Sequence, residues 1–302
     1  MAVEFHRQGP VVVFGEAMIE LADLSRDRAR IAVGGDTYNT AVYLARAGIP
    51  TTFATALGAD PFSGRIVDAL RGEAVGTALV LTVPERTPGL YAIEVDDHGE
   101  RSFTYWRSAS AARAFFAASG SDNVVRAMAA APVLYLSGIT LSIFEDADRR
   151  RVVDIARRVR AAGGVVAFDT NYRPGGWASR GQALAAVEAI MPHVSLALPT
   201  LQDEAALFGP VDAPACAQRW LHAGADEVAV KSGPDGAFVS DAGWVPPPRV
   251  VTPTDTTGAG DSFNGAYLAA RIGGAAPTDA ALRAHRLAAR VLDEPGAIVP
   301  RA

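Results

Sequence analysis

The stretch Val251-Thr252-Pro253-Thr254-Asp255-Thr256-Thr257-Gly258-Ala259-Gly260-Asp261-Ser262-Phe263-Asn264-Gly265-Ala266-Tyr267-Leu268-Ala269-Ala270-Arg271 decides how the chain is read. Pro253, the threonines and the two glycines make its first half irregular backbone. Its second half reads as a helix, because Phe263, Ala266, Tyr267 and Ala270 recur at helical spacing and Gly273-Gly274 end the run. A Gly-Ala-Gly turn entering a helix leaves backbone N–H groups without intrahelical partners, and the helix dipole adds positive potential there. Small residues let a ligand approach that backbone. The pattern predicts an anion site, most naturally for phosphate. Asp261 beside it has two readings. It caps the helix, or it takes a proton from an attacking hydroxyl while the amides hold a phosphoryl group.

The rest of the chain bounds the choice. With 302 residues, 49% of them hydrophobic, there is apolar material for a large α/β core. A net charge of −5 argues against a general nucleic-acid or acidic-membrane surface, so an anionic substrate would need a local cationic pocket. Cys216 is the only cysteine, which excludes an internal disulfide and a cysteine-rich metal cluster. The apolar run Val11-Val12-Val13-Phe14 is too short for a signal peptide, and no stretch reaches membrane-spanning length, so a cytoplasmic protein is expected.

Working outward, Val11 to Leu21 is expected as one strand that leaves the core and becomes half exposed. Gly15 opens no G-x-G-x-x-G fingerprint, which counts against a nicotinamide dehydrogenase. In Gly34-Gly35-Asp36-Thr37-Tyr38-Asn39, Asp36 or Thr37 is the expected cap of a helix closed by Gly48. These residues read as an ordinary tight turn, or as backbone brought close to a polyol that Asp36 and Asn39 hydrogen-bond. Alternation over 90–95 and 101–107 around Asp97-His98-Gly99 predicts an inserted β-hairpin. Period two puts Phe103, Tyr105 and Arg107 on one face, and Tyr91, Ile93 and Val95 on one face of the partner strand. That face covers an anionic ligand as a lid, or is plain cross-strand aromatic packing.

From Pro132 strands and helices alternate, with Glu145 to Ala162 an amphipathic helix whose arginines are expected on its solvated face. Such alternation makes a parallel sheet flanked by helices, with ligands beyond the carboxyl ends of the strands. Asp169-x-Asn171-x-Arg173, Thr200 to Glu204, Lys231 to Gly236 and the opening stretch would then share one crevice. Lys231 is the sole lysine. No repeat or linker divides the chain, so residues 1–302 are expected as one domain.

Gly34-Gly35-Asp36-x-x-Asn39 and Asp255-Thr256-Thr257-Gly258-Ala259-Gly260-Asp261-Ser262-Phe263 resemble the two signatures of the ribokinase (PfkB) carbohydrate kinase family. The likeness covers nearly the whole chain. The segments 15–21, 34–40, 105–107, 169–174, 198–204 and 296–300 look most similar to the branch that acts on 2-keto-3-deoxygluconate. The resemblance implies a three-layer α/β/α core with a mainly parallel sheet, and a small β-sheet lid from strands near 16–33 and 89–107. It implies ATP with Mg²⁺, and phosphoryl transfer to a sugar acid's terminal hydroxyl. Asp261 would be the base, and Gly258, Ala259 and Gly260 the anion hole. Gly34, Gly35, Asp36, Asn39, Tyr91 and Tyr105 would hold the sugar, with Arg107 and Arg173 at its carboxylate end. Asn171, Lys231, Ser232, Gly233, Gly236 and Thr257 would border the nucleotide. Many family members carry Asn-x-x-Glu where this chain has Thr200 to Asp203, so either Asp203 or Glu204 would organise Mg²⁺, through water. A monovalent cation near Asp255 and Thr257 is common in the family. Lids often pair across a dimer there, which makes Trp106 a candidate contact.

Other readings remain open. The substrate is the C4 epimer 2-keto-3-deoxygalactonate, or a neutral sugar such as fructose or ribose; or the protein is a non-catalytic sugar-acid-binding regulator. No Gly-x-x-x-x-Gly-Lys-Ser/Thr loop occurs, so phosphate would have to bind at the Gly258–Asp261 turn.

Overall fold

A computed structural model of the chain describes residues 3–6, 8–25, 28–95 and 101–301. The first half runs β1 (Val11–Phe14), β2 (Met18–Ser25), β3 (Arg28–Gly34), α1 (Asp36–Arg46), β4 (Thr51–Leu57), α2 (Pro61–Gly72), β5 (Gly76–Thr82), β6 (Leu90–Val95) and β7 (Arg101–Trp106). It continues with α3 (Ser121–Ala129), β8 (Val133–Ser137), α4 (Gly138–Ser142), α5 (Asp146–Ala161), β9 (Val165–Asp169) and α6 (Arg180–Ile190). The last part is β10 (Leu196–Ala197), α7 (Leu201–Phe208), α8 (Ala213–Ala223), β11 (Glu227–Lys231), β12 (Ala237–Val239), β13 (Gly243–Val245), α9 (Ala259–Ile272) and α10 (Pro277–Leu292).

The large sheet has the order β13-β12-β11-β10-β9-β8-β1-β4-β5. It is parallel from β11 to β5, and β12 and β13 add an antiparallel edge. Helices cover both faces, which is why its strands are continuous apolar runs. Val12, Phe14, Leu134 and Leu136 enter one core with Phe115, Phe144 and Trp220. Val11, Val13, Val133 and Tyr135 point the other way, against Phe263 and Tyr267 of α9. Each large side chain so buried contributes on the order of 2 kcal/mol. From β1 the chain proceeds to β4 and β5 on one side and returns to β8 on the other. The carboxyl ends of β1 and β8 therefore flank the reversal of strand order where such sheets bind ligands.

The second sheet, β3-β2-β6-β7, forms the lid. The continuous strand expected over 11–21 divides here: β1 ends in the large sheet, and β2 starts in the lid after 15–17. A chain that changes sheets must break its ladder, and Gly15-Glu16-Ala17 is that break. In the β6–β7 hairpin, Tyr91 lies opposite Tyr105 and Ile93 opposite Phe103, as period two predicts. Asp97-His98-Gly99 lies outside the described residues. The arginines of α5 are not all solvated. Arg149 is buried, donating to the Leu141 carbonyl, pairing with Asp146 and lying over the Trp177 ring.

Candidate active site

Helix α9 starts from Gly258, whose φ of 76° is left-handed and whose Cβ would fall 2.7 Å from the Ala297 Cβ. Only glycine suits that position. Gly258 is the N-cap and no side chain caps the helix, so the capping role considered for Asp261 is not realised. Instead Asp261 Oδ2 accepts 2.8 Å from Asn39 Nδ2 of α1. The N-cap of α1 is Gly35, with φ 131°, where a Cβ would lie 2.5 Å from the Glu16 carbonyl oxygen. Neither Asp36 nor Thr37 caps this helix, contrary to expectation. Asp36 turns into the crevice, accepting 2.5 Å from Ser137 Oγ and 3.0 Å from Asn171 Nδ2. The buried Asn39 Oδ1 has no partner among the described residues, which leaves an acceptor for a ligand hydroxyl.

Beneath these groups lies a closed polar network. Lys231 Nζ, at the end of β11, is 2.6 Å from Asp169 Oδ2 and donates 2.9 Å to Asn264 Oδ1. Asn264 Nδ2 in turn donates to Asp169 at 2.6 Å and to the Tyr135 hydroxyl at 3.0 Å. Lys231 is thus held below the first turn of α9, and Gly260 stands over it: a Cβ there would be 3.8 Å from Nζ.

Asp36, Asp169 and Asp261 converge on this space, and their charges oppose one another. Asp261 remains partly accessible at the cleft floor but is enclosed on most sides. That desolvation, followed by the Asp36 charge, pushes its pKa up to about 8, against the Asn39 hydrogen bond and the Lys231 charge. Asp36 is raised as well, burial again being the main cause. A carboxylate of raised proton affinity beside helix N-terminal amides can take a proton from a hydroxyl while an anion is held nearby.

The lid supplies the roof. Tyr91 is buried and donates 2.5 Å to Glu20, and its ring centroid is 5.8 Å from that of Tyr105. Gly34 leaves room for the Tyr91 hydroxyl, which would be 2.1 Å from any Cβ there. Tyr105 is half exposed, and its hydroxyl feels Arg107, Arg173 and Asp36, so these groups border one space. Arg107 pairs with the buried Glu16 at 2.5 Å, and Arg173 Nη1 donates to Asp203 at 3.0 and 3.1 Å.

Other expected positions fall around this centre. Ser232 and Gly236 close a tight turn after β11, with the Ser232 N–H donating to the Gly236 carbonyl, and Gly233 lies between them. Asn171, expected beside the nucleotide, is drawn to Asp36 on the opposite side. Its φ of 33° is left-handed, and its N–H donates to Asp169 Oδ1. Asp255 accepts from the Thr257 and Gly296 N–H groups, tying the glycine turn to the C-terminal segment. Of the two acids considered for metal, Glu204 is fully buried and committed to Thr170, Trp220 and Arg219. It does not face the cleft; Asp203 is the acid at the rim. Sequence reasoning passed over Glu16, Tyr135, Ser137 and Asn264. The available signal was polar residues interrupting, or directly ending, buried apolar runs.

The profile of the pfkB family of carbohydrate kinases matches residues 9–302. The chain is 42% identical over 301 residues to the 2-dehydro-3-deoxygluconokinase of Escherichia coli K12, covering 96% of this chain and 97% of the relative. It is 39% identical over 300 residues to the enzyme of that name from Dickeya dadantii, covering 96% of each. Among solved structures, a PfkB protein from Polaromonas superposes with a TM-score of 0.81 at 26% identity, over 95% of this chain and 97% of the other. A Thermotoga maritima 2-dehydro-3-deoxygluconokinase shares the fold, with a TM-score of 0.85 at 21% identity over 97% and 95%. The chain belongs to the pfkB family of carbohydrate kinases.

Proposed function

We propose that this chain transfers the γ-phosphoryl group of ATP to the terminal hydroxyl of 2-keto-3-deoxygluconate, giving 2-keto-3-deoxy-6-phosphogluconate. The single observation that carries the reading is Asp261: a carboxylate of raised proton affinity in the first turn of a glycine-entered helix, below a lid bearing Arg107. The names and identities of the relatives described above support the same substrate. Asp261 takes the proton of the attacking hydroxyl as the new O–P bond forms and the bond from the γ-phosphorus to the β,γ-bridging oxygen breaks, with ADP as the leaving group. The amides at Gly258, Ala259 and Gly260 hold the transferring group, and Thr257, Lys231 and the Ser232–Gly236 turn border the nucleotide. Gly34, Gly35, Asp36, Asn39, Tyr91 and Tyr105 hold the sugar, and Asn171 joins this side through Asp36. Arg107 and Arg173 grip the carboxylate, which a planar guanidinium does better than an ammonium.

Asp203, the acid at the rim, offers oxygen donors of the kind a hard cation takes. No cluster of three metal ligands occurs among the described residues, so Mg²⁺ would be held by Asp203 through water and by phosphate oxygens. Bound there, it supplies neutralisation of the β- and γ-phosphate charge. A monovalent cation belongs beside Asp255 and Thr257 in this reading. Trp106, 58% exposed on the lid edge, is the proposed contact of a homodimer, and a monomer in analytical ultracentrifugation would remove that assignment.

A fructokinase from Vibrio alginolyticus is 30% identical over 265 residues, covering 86% of this chain and 83% of that relative, which keeps a neutral sugar in contention. A coupled ATP assay over 2-keto-3-deoxygluconate, 2-keto-3-deoxygalactonate, fructose and ribose decides. Arg107→Ala should raise KM for the sugar acid by ~10-fold or more, the loss expected for an ionic hydrogen bond. An unchanged KM points to a neutral substrate. Sugar binding without ATP turnover would identify a regulator instead.

A further inference from the structure

One buried acid at the lid root has no part in this scheme. Glu16 follows β1 directly, and its side chain is 1% exposed. Its partner is Arg107 Nη2, at 2.5 Å. Neither Glu16 carboxylate oxygen nor Arg107 Nη2 makes a well-aligned hydrogen bond among the described residues, so charge and packing hold the pair. Burying such a pair costs several kcal/mol in lost hydration, and replacing one with apolar side chains is often neutral or stabilising. Its presence here therefore asks for a reason other than stability.

The position of Glu16 supplies one. Four segments cross between core and lid: 15–17, 34–35, 83–89 and 107–110. Glu16 belongs to the first and abuts the other three. Its carbonyl oxygen would be 2.5 Å from a Cβ on Gly35, and its Oε1 would be 2.8 Å from a Cβ on Gly89. Its Oε2 meets Arg107. A guanidinium carries five donors in a planar fork. Nη2 is buried against Glu16, in a side chain that is 20% exposed as a whole, so Nε and Nη1 are left to meet a ligand. A guanidinium held at Nη2 has fewer orientations open to it, which lowers the entropy lost on gripping a ligand carboxylate.

We propose that Glu16 is the positioning residue for Arg107: it anchors the guanidinium at the lid root and so tunes the site for an anionic sugar. This rests on the reading of Arg107 as the partner of the substrate carboxylate. Glu16→Gln keeps the shape and removes the charge. It should raise KM for 2-keto-3-deoxygluconate by ~10-fold, with KM for ATP within about twofold, since misplacing a binding group by about an ångström has effects of this size or larger. In the Arg107→Ala background, adding Glu16→Gln should change the sugar-acid KM by less than about twofold, because the two act as one unit. Gly89→Ala is an independent variant. Its Cβ would press on Glu16 Oε1 and lie 3.1 Å from the Arg107 Cβ, and it should raise the same KM with no charge removed.

Circular dichroism and a melting curve check that each variant folds. If Glu16→Gln fails to fold, Gly89→Ala carries the test alone. A sugar-acid KM unchanged in the folded variants, or losses that multiply in the double mutant, overturns the proposal. If Arg107→Ala itself leaves that KM unchanged, the carboxylate reading of Arg107 fails first, and the two failures are told apart.

Discussion

Strand β11 and helix α9 are joined by buried polar clusters at both ends, and the clusters are built on different principles. At the lower end, Glu227 Oε1 accepts from the Tyr267 hydroxyl at 2.7 Å and Arg271 Nε at 2.9 Å. Its Oε2 accepts from Arg271 Nη2 at 2.9 Å and the Val3 N–H at 3.0 Å. One acid meets one base, and every lone pair has a donor. At the upper end, Lys231 and Asn264 stand below Asp169, Asp36 and Asp261, and burial and repulsion raise the proton affinity of Asp261. The lower cluster is matched and inert. The upper has more carboxylate than the buried lysine can neutralise, a conformational and electrostatic cost that is kept where chemistry uses it.

The comparison breaks most sharply at Asp261. Asp261→Asn should lower kcat by ~10²–10⁴-fold, the range for loss of a general base, while sugar binding persists. A coupled assay showing kcat within tenfold of wild type would exclude Asp261 as the base. Glu227→Ala should do the reverse. It leaves Arg271 buried without its partner and should cost about 3–5 kcal/mol in urea unfolding, with kcat per folded molecule unchanged. A loss under 1 kcal/mol would mean that the lower cluster is not structural.

A pH profile separates the two ends more finely. Since kcat/KM reports the free enzyme, it should rise through pH about 8, lying ~100-fold below its plateau at pH 6. A flat profile from pH 6 to 9 contradicts the raised proton affinity. The sign for stability is opposite to that of a salt-bridged acid. The folded-state pKa lies above the unfolded value of about 4, so ionising Asp261 costs stability progressively from pH about 4 to about 8 and by a constant amount above. The consequence for stability is that Asp261→Asn melts higher than wild type at pH 9 and close to it near pH 4 in a thermal denaturation series.

Much of the upper end was legible in the residues themselves. The glycines at 258 and 260, the helix after them and Asp261 in its first turn are local features, as are the two-residue period of the lid hairpin and the buried strand runs. Other expectations failed because they depended on long-range contacts. Asp36 looked like a cap until Ser137 and Asn171, 101 and 135 residues away, offered it better partners. Asp203 and Glu204 were equal as candidates, since adjacent helical residues point about 100° apart and only the packing of α7 and α8 decides which is buried.

By itself, then, the sequence determined the alternation of strand and helix, the anion-binding turn, and the family that goes with them, because backbone propensity and periodicity act over a few residues. Tertiary structure alone decided the proton affinity of Asp261, the burial of Lys231 under Gly260 and the grip of Glu16 on Arg107. Those properties arise from desolvation and from charges on elements far apart in the chain, which meet only when the sheet and lid are assembled.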